Sequence, residues 1–130
     1  MSGVEVTEVE VHADDRGFVF EAVEAEEIPG FRNVHAAMTE PGEVRGNHVH
    51  CEKDEVINVQ GPALVRWRTD GGTVDHRVPD GAVHRFRFPA DVPHAVRHEG
   101  EEPRLLVALA TEPHDPENPD AERVELIAEG

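Results

Sequence analysis

Four side chains have the types and the spacing of a divalent-metal site. His48 and His50 are two residues apart, so on a β-strand both project from one face. Glu55 follows across a short polar stretch that is able to turn and return alongside, and His94 follows Pro93 at the start of a later candidate strand. Neutral imidazoles and a carboxylate bind Zn²⁺, with Ni²⁺, Mn²⁺ and Fe²⁺ as alternatives. The alternative from residue types alone is a group of hydrogen-bonded polar residues without metal.

The segments that must position these residues have the pattern of β-strands, because short alternating apolar stretches recur between turn signals and no window sustains a helical period. The predicted strands cover residues 4–11, 18–20, 33–38, 55–60, 63–68, 73–78, 82–88, 94–98 and 105–110. The turns between them use many of the 11 Gly and 10 Pro, and those at 61–62 and 70–72 are spaced for a hairpin. Strands at this spacing predict an all-β barrel or sandwich.

Composition limits the class of protein further. With 28 Asp and Glu against 12 Lys and Arg in 130 residues, the formal net charge is −16, which disfavours binding to nucleic acid or to an anionic membrane. Eleven of the 12 cations are Arg, and an acidic surface of this kind suggests adaptation to high salt. A single cysteine, no secretory signal and no apolar run longer than residues 105–110 predict a cytoplasmic protein.

Two stretches resemble the motifs of the cupin superfamily. The first is Gly42-(five residues)-His48-Val-His50-(four residues)-Glu55-(five residues)-Gly61, one residue short before its last glycine. The second is Pro89-Ala-Asp-Val-Pro93-His94-(three residues)-His98, with Asp91 where the family prefers Gly and His98 where it often has Asn. The resemblance implies a single-domain jelly-roll β-barrel, the double-stranded β-helix, whose metal is held by His48, His50, Glu55 and His94. Metal-free cupins also exist.

A finer resemblance covers residues 14–125. Asp14-Asp-Arg-Gly-Phe-Val-Phe-Glu21 and Arg45-Gly-Asn-His48 are similar to dTDP-4-dehydrorhamnose 3,5-epimerases and sugar 3,4-ketoisomerases. The stretches at 45–55 and 110–120 resemble the metal-binding C-terminal cupin domain of capsular-polysaccharide sugar-nucleotide epimerase/reductases. This implies epimerisation or isomerisation of a nucleotide-linked 4-keto-6-deoxyhexose in polysaccharide biosynthesis. A proton next to the keto group is removed and returned to the opposite face.

The resemblance also implies residues that act on the substrate. Lys53, the only lysine, is a candidate acid/base, and His84 is a second candidate because it shares a strand face with Phe86 and Phe88. The alternatives are a surface lysine and a hydrogen-bonded core histidine. The tyrosine acid of the metal-free 3,5-epimerases cannot be carried over, because the chain has no tyrosine.

Four further residues are candidates for substrate binding. Arg16 and Arg45 are placed to contact a diphosphate through paired hydrogen bonds, unless they form ordinary surface ion pairs. His35 is a candidate for the cavity, and His98 is a candidate for orienting a metal ligand.

The sequence leaves other functions and the assembly open. A non-catalytic cupin that binds a sugar or another small anion is one alternative, and a small metal-dependent dioxygenase is another. Residues 1–13 are expected to hold an N-terminal strand, residues 14–110 the barrel, and residues 111–130 an acidic closing segment. The N-terminal strand either pairs two copies into a homodimer or closes the sheet of its own chain. Within that segment, residues 111–119 are predicted to form a loop and 121–127 an edge strand or a short helix.

Overall fold

The computed structural model describes residues 3–129 and has an all-β fold. The strands in chain order are β1 (Glu5–Val9), β2 (His12–Asp14), β3 (Gly17–Val19), β4 (Asn33–Thr39), β5 (Val44–His50), β6 (Glu55–Gln60), β7 (Ala63–Thr69), β8 (Gly72–Val78), β9 (Val83–Phe88), β10 (His94–His98), β11 (Arg104–Ala110) and β12 (Ala121–Arg123). A 3-10 helix at Ala25–Gly30 was not predicted. None of its residues is buried, so it has no apolar period for the sequence pattern to reveal.

Two five-stranded antiparallel sheets form the body of the molecule. The first sheet has the order β1-β9-β6-β11-β4, the second has the order β12-β5-β10-β7-β8, and β2 and β3 form a separate hairpin. One apolar core joins the inner faces of the two sheets, with Ile57 and Phe86 from the first and Val65 and Trp67 from the second. The predicted all-β jelly roll is confirmed.

The chain passes from one sheet to the other between β5 and β6, and this connection decides how the candidate ligands meet. β5 lies in the second sheet and β6 in the first. The polar stretch after His50 does turn back and bring Glu55 close to His50, but from the opposite sheet and not from an adjacent strand. Glu55 instead faces β5 across the interior of the barrel, because inner-face side chains of both sheets point into one core.

A β-bulge aligns the strands that carry the histidines. His94 pairs with His48 and Ala95 pairs with Gly46, so Asn47 is the extra residue of β5. Gly46 has φ +87°, and a Cβ there would lie 2.9 Å from the His94 carbonyl oxygen. The close approach of β5 to β10 thus requires glycine at this position.

Both ends of the described chain add strands to these sheets. β1 pairs with β9 and forms one edge of the first sheet, and β4 forms the other edge. The homodimer through residues 1–13 stays a prediction. Residues 1 and 2 of that segment, and residue 130 of the closing segment, lie outside the described residues. β12 pairs with β5, with Ala121 opposite His50, so the closing segment has an edge strand at residues 121–123.

His84 lies away from the candidate metal ligands, although it shares the inner face of β9 with two phenylalanines as predicted. The His84 Nδ1 atom is 2.8 Å from His76 Nε2. The His76 ring packs against Phe86, which stacks on Phe88, which stacks on His94. The two phenylalanine rings therefore separate this histidine pair from His94, and the position of His84 gives no support to its expected role as acid/base.

Because of the pair of His76 and His84, we expect part of the stability of the fold to be lost at acidic pH. Burial and the neighbouring His84 lower the pKa of His76 from 6.5, while Glu8 opposes the shift. The unfolded chain therefore binds a proton at His76 more readily than the folded protein does. The contribution of His76 to the free energy of unfolding is complete above its pKa in the unfolded chain, and it is lost as the pH falls through its pKa in the folded protein. We expect the free energy of unfolding of the metal-free protein in urea to fall between about pH 7 and pH 5, and to fall less in His76→Gln. His114→Gln, at an exposed histidine, serves as the control, and equal slopes in wild type and His76→Gln would contradict the prediction.

Candidate metal centre

β5, β6 and β10 bring the four candidate ligands into one cluster. The ligand atoms of His48, His50, Glu55 and His94 all lie within 4.8 Å of one another. Glu55 Oε1 is 3.0 Å from His94 Nε2, 3.5 Å from His50 Nε2 and 3.8 Å from His48 Nε2. The Nε2 atoms of His48 and His94 are 3.2 Å apart. One carboxylate oxygen and three Nε2 atoms therefore surround a common point, and this cluster could bind a metal ion.

The electrostatics of the cluster agree with that chemistry. Burial raises the pKa of Glu55, but the neighbouring imidazoles of His48, His50 and His94 outweigh it and hold the pKa well below its usual value. Glu55 is thus a carboxylate at neutral pH, which is the form that binds metals. Neither ring nitrogen of His50 has a hydrogen-bond partner among the described residues, although the side chain is only 9% exposed. Burying a polar atom without a hydrogen-bond partner costs free energy, and a metal ion bound to Nε2 would remove that cost for one of the two nitrogens. The four side chains are therefore suited to hold a metal ion.

The surroundings of His94 fix its orientation. Its Nδ1 lies 2.9 Å from the Val92 carbonyl oxygen, which accepts an N–H there. The proton on Nδ1 leaves the lone pair on Nε2, which faces Glu55. The Phe88 ring stacks on the imidazole with 4.3 Å between centroids. His94 is therefore held in the tautomer that a metal ligand needs.

A cavity of about 220 Å³ opens beside the cluster. His48, Glu55 and His94 line it together with His35 from β4 and Arg45 from β5, and the remaining walls are mostly apolar side chains of β6, β10 and β11. The Arg45 guanidinium donates to the Met38 carbonyl oxygen at 3.0 Å, which holds it against β4. The structure thus places His35 and Arg45 at the wall of this cavity, and their roles in substrate binding stay predictions.

Three other candidates lie outside this cavity. Lys53 is buried in the connection between β5 and β6 but does not line the cavity. Arg16 is exposed in the β2–β3 hairpin and pairs with Asp14. His98 follows His94 on the same strand by four residues, about 13 Å along β10. The expected roles of these residues at the metal centre therefore have no support from their positions in the single chain.

His98 forms hydrogen bonds with two loops, away from the metal ligands. Its ring nitrogens contact the carbonyl oxygens of Pro62 and Glu102. The side chain is almost fully buried, at 3% exposure, and links the β6–β7 turn to the connection before β11. Residues four apart on a strand share a face, as His94 and His98 do, but a shared face does not bring their side chains into contact.

Sequence reasoning missed two residues next to the cluster. Asn47, with φ +55°, is 1% exposed and holds the end of the closing segment through its side-chain amide. Asp120 lies beside His50 and accepts the backbone N–H groups of Cys51 and Glu52. The Gly46-Asn47 pair was a local signal for a left-handed turn. Asp120 lies in the stretch that resembles the closing segment of the cupin domain, but no local pattern shows its contact with residues almost 70 positions away.

The fold and the cluster define a cupin: two antiparallel sheets enclose three histidines and one carboxylate. The chain belongs to the polysaccharide biosynthesis C-terminal domain family, which matches residues 12–122. The "probable low-salt glycan biosynthesis epimerase Agl13" of Haloferax volcanii is 32% identical, over 93% of this chain and 85% of Agl13. The "spore coat polysaccharide biosynthesis protein SpsL" of Bacillus subtilis is 27% identical, over 95% of this chain and 89% of SpsL. The resemblance to polysaccharide-biosynthesis cupins is thus confirmed.

Solved structures show the same fold. The capsular polysaccharide assembling protein CapF of Staphylococcus aureus superposes on 91% of this chain with a TM-score of 0.67 and 24% identity. This chain spans about a third of CapF, 33% of its length. ChmJ, a 3'-monoepimerase of Streptomyces bikiniensis in complex with dTDP-quinovose, superposes on 95% of this chain and 70% of its own length, with a TM-score of 0.74 and 18% identity. In residues 3–129, no helix is long and apolar enough to span a bilayer.

Proposed function

We propose that this chain is a metal-dependent epimerase or isomerase of a nucleotide-linked 4-keto-6-deoxyhexose in polysaccharide biosynthesis. The observation that carries the proposal is the convergence of His48, His50, Glu55 and His94 at the wall of a cavity. The family and the epimerases among the similar proteins support the reaction class.

The ligand set fits a divalent ion, with Zn²⁺ favoured by its three imidazoles and one carboxylate and Ni²⁺, Mn²⁺ or Fe²⁺ as alternatives. Such an ion, when bound, supplies a Lewis acid for a carbonyl oxygen. Glu55 contributes the negative charge that offsets part of the charge of the ion. Ile57, Leu106 and Ala108 line the cavity with apolar surface and exclude water from the reacting carbons.

The dimensions of the cavity suit a sugar ring rather than a whole nucleotide sugar. Its volume of about 220 Å³ is below the ~300–1,000 Å³ of sites that enclose a drug-sized ligand. The nucleotide would then remain at the rim, where Arg45 offers a guanidinium that is suited to a diphosphate. Because the chain has a net charge of −16, a local cation is needed to attract an anionic substrate.

We assign proton transfer to His35 in place of Lys53. Among the described residues that line the cavity outside the four-residue cluster, His35 and Arg45 are the ionisable ones. An imidazole exchanges a proton near neutral pH, whereas a guanidinium stays protonated. His35 on β4 is therefore the group with access to a C–H bond next to the keto carbon of a bound sugar.

Deuterium exchange tests the proposed reaction. The metal-loaded protein is incubated in D₂O with dTDP- and UDP-linked 4-keto-6-deoxyhexoses, and proton NMR follows the carbons next to the keto group. We expect deuterium to enter one of these positions, and His35→Gln to slow the exchange by about 100-fold or more, the usual contribution of a general base. His12→Gln, at an exposed histidine outside the cavity, is the control.

Two results would count against the assignment. Exchange at the wild-type rate in His35→Gln would remove His35 from the reaction. No exchange with any of these sugars, despite full metal loading, would leave the non-catalytic sugar-binding cupin as the function of the site.

A further inference from the structure

We propose that Asp120, in the closing segment, is a positioning residue for the metal ligand His50. Its carboxylate keeps the imidazole proton on Nδ1 and so leaves the lone pair of Nε2 free for the metal. This inference rests on the proposed metal centre, and it makes the closing segment a part of that centre rather than an outer cover.

The His50 ring lies between two carboxylates. Glu55 Oε1 is 3.5 Å from Nε2, and Asp120 Oδ2 is 3.8 Å from Nδ1. Both side chains that meet at Nδ1 are largely buried, with 9% of His50 and 14% of Asp120 exposed. No other described residue forms a hydrogen bond with either ring nitrogen. Asp120 is therefore the carboxylate that faces Nδ1 and favours the proton there, while Glu55 faces Nε2.

The position of Asp120 is fixed by the backbone that follows His50. Oδ1 accepts the N–H groups of Cys51 at 3.1 Å and Glu52 at 3.0 Å, and Oδ2 also accepts the Glu52 N–H at 3.0 Å. The next residue, Ala121, pairs with His50 in the β12–β5 ladder. The carboxylate is thus attached to the same stretch of chain as the ligand that it orients.

The two tautomers of His50 differ in their ability to bind a metal. A neutral imidazole has one N–H and one lone pair, so a proton on Nε2 leaves no lone pair facing Glu55. An ionised carboxylate accepts hydrogen bonds but cannot donate one, so Asp120 favours the proton on Nδ1. His94 has the same arrangement, with the Val92 carbonyl as acceptor. The 3.8 Å separation is longer than a direct hydrogen bond of ~2.9 Å, and we expect metal binding to shorten it.

The Asp120 side chain accepts N–H groups of the turn after His50 and also faces the His50 ring, and Asp120→Asn separates these two roles. The amide oxygen at the Oδ1 position can still accept the N–H groups of Cys51 and Glu52, so the turn loses only the second contact of the Glu52 N–H, the one to Oδ2. The amide nitrogen then faces His50 Nδ1 and donates to it, which favours the proton on Nε2. Asp120→Ala loses both the hydrogen bonds to the turn and the contact with His50. Its melting temperature, compared with that of Asp120→Asn, shows how much the hydrogen bonds to the turn stabilise the fold. Asp115→Asn removes one charge from an exposed position of the same segment and is the matched control.

The experiment measures two quantities in the full chain. The dissociation constant of Zn²⁺ is measured against a competing chelator, and the His50 tautomer of the metal-free protein is read from long-range ¹H–¹⁵N correlations of ¹⁵N-labelled histidine. In Asp120→Asn we expect the dissociation constant to rise about 10- to 100-fold and the proton to move from Nδ1 to Nε2. In Asp115→Asn neither quantity should change, and the melting temperature of Asp120→Asn should exceed that of Asp120→Ala.

The outcomes separate this inference from the proposed function. Wild-type Zn²⁺ affinity and an unchanged tautomer in Asp120→Asn overturn the role of Asp120 and leave the metal centre intact. A lower melting temperature without a change of tautomer also overturns it, because Asp120 is then only structural. If the wild-type chain binds no metal, the proposed function fails, and the tautomer of the metal-free protein still decides whether Asp120 orients His50.

Discussion

Glu55→Gln is expected to raise the dissociation constant of Zn²⁺ by at least about 100-fold while the fold remains intact. Glu55 is the single anion among three imidazoles, and its oxygen lies within 3.8 Å of all three Nε2 atoms. An amide of the same shape carries no charge. It also presents an N–H that hydrogen-bonds to a histidine nitrogen and competes with the metal for the lone pair.

The single tryptophan provides a direct readout of this loss. Trp67 packs on Phe88 at 5.9 Å between centroids, and Phe88 stacks on His94, so the indole lies close to the cluster. Co²⁺ bound there should quench the tryptophan fluorescence of the wild type, and titration gives its affinity. Glu52→Gln, at an exposed position of the same connection, is the control and should bind like wild type. Wild-type affinity in Glu55→Gln would show that the cluster is not the metal centre.

Asn47→Ala is expected to reduce the free energy of unfolding by about 2–4 kcal/mol, the largest effect on stability that we predict. The Asn47 amide donates to the Ile127 carbonyl oxygen at 2.9 Å and accepts the N–H groups of Leu126 at 2.9 Å and Ile127 at 3.1 Å. Ile127 is 2% exposed, so water cannot replace these bonds in the folded state. The substitution leaves buried peptide N–H and C=O groups without hydrogen-bond partners, and an unpaired buried polar group costs more free energy than the hydrogen bond itself contributes.

Backbone strain adds to this loss and can be measured separately. Asn47 has φ +55°, a conformation that asparagine and glycine adopt more readily than alanine. Asn47→Gly therefore loses the same hydrogen bonds without the strain and should unfold at a higher urea concentration than Asn47→Ala. Asn118→Ala, at an exposed position of the closing segment, is the control. A loss below about 0.5 kcal/mol in Asn47→Ala, as at an ordinary surface position, would show that the hydrogen bonds of Asn47 to Leu126 and Ile127 do not stabilise the fold.

Local pattern was sufficient to predict most of the strands and the shared face of His48 and His50. β6 and β10 have the predicted bounds, because each is an alternating stretch between glycine or proline turns. His48 and His50 share a face because residues two apart on a strand do so, and their rings lie 4.6 Å apart. The cupin resemblance then supplied Glu55 and His94, which alternation alone could not bring together.

The unsupported and missing assignments all depend on long-range placement. Alternation put His84 on the inner face of β9, but the rings of Phe86 and Phe88 occupy the space between it and the metal ligands. The uniqueness of Lys53 said nothing about the direction of its side chain. Asp120 reaches His50 only because β12 pairs with β5, and a three-residue strand after a proline-interrupted loop leaves a weak pattern in the sequence.

The proposed metal centre is best tested by a crystal structure of the protein purified without chelators, with anomalous diffraction recorded at the absorption edge of its metal. We expect one anomalous peak, about 2.0–2.2 Å from the Nε2 atoms of His48, His50 and His94 and from a carboxylate oxygen of Glu55. No peak among these four side chains after crystals are grown with Zn²⁺, or a peak held by other residues, would contradict it.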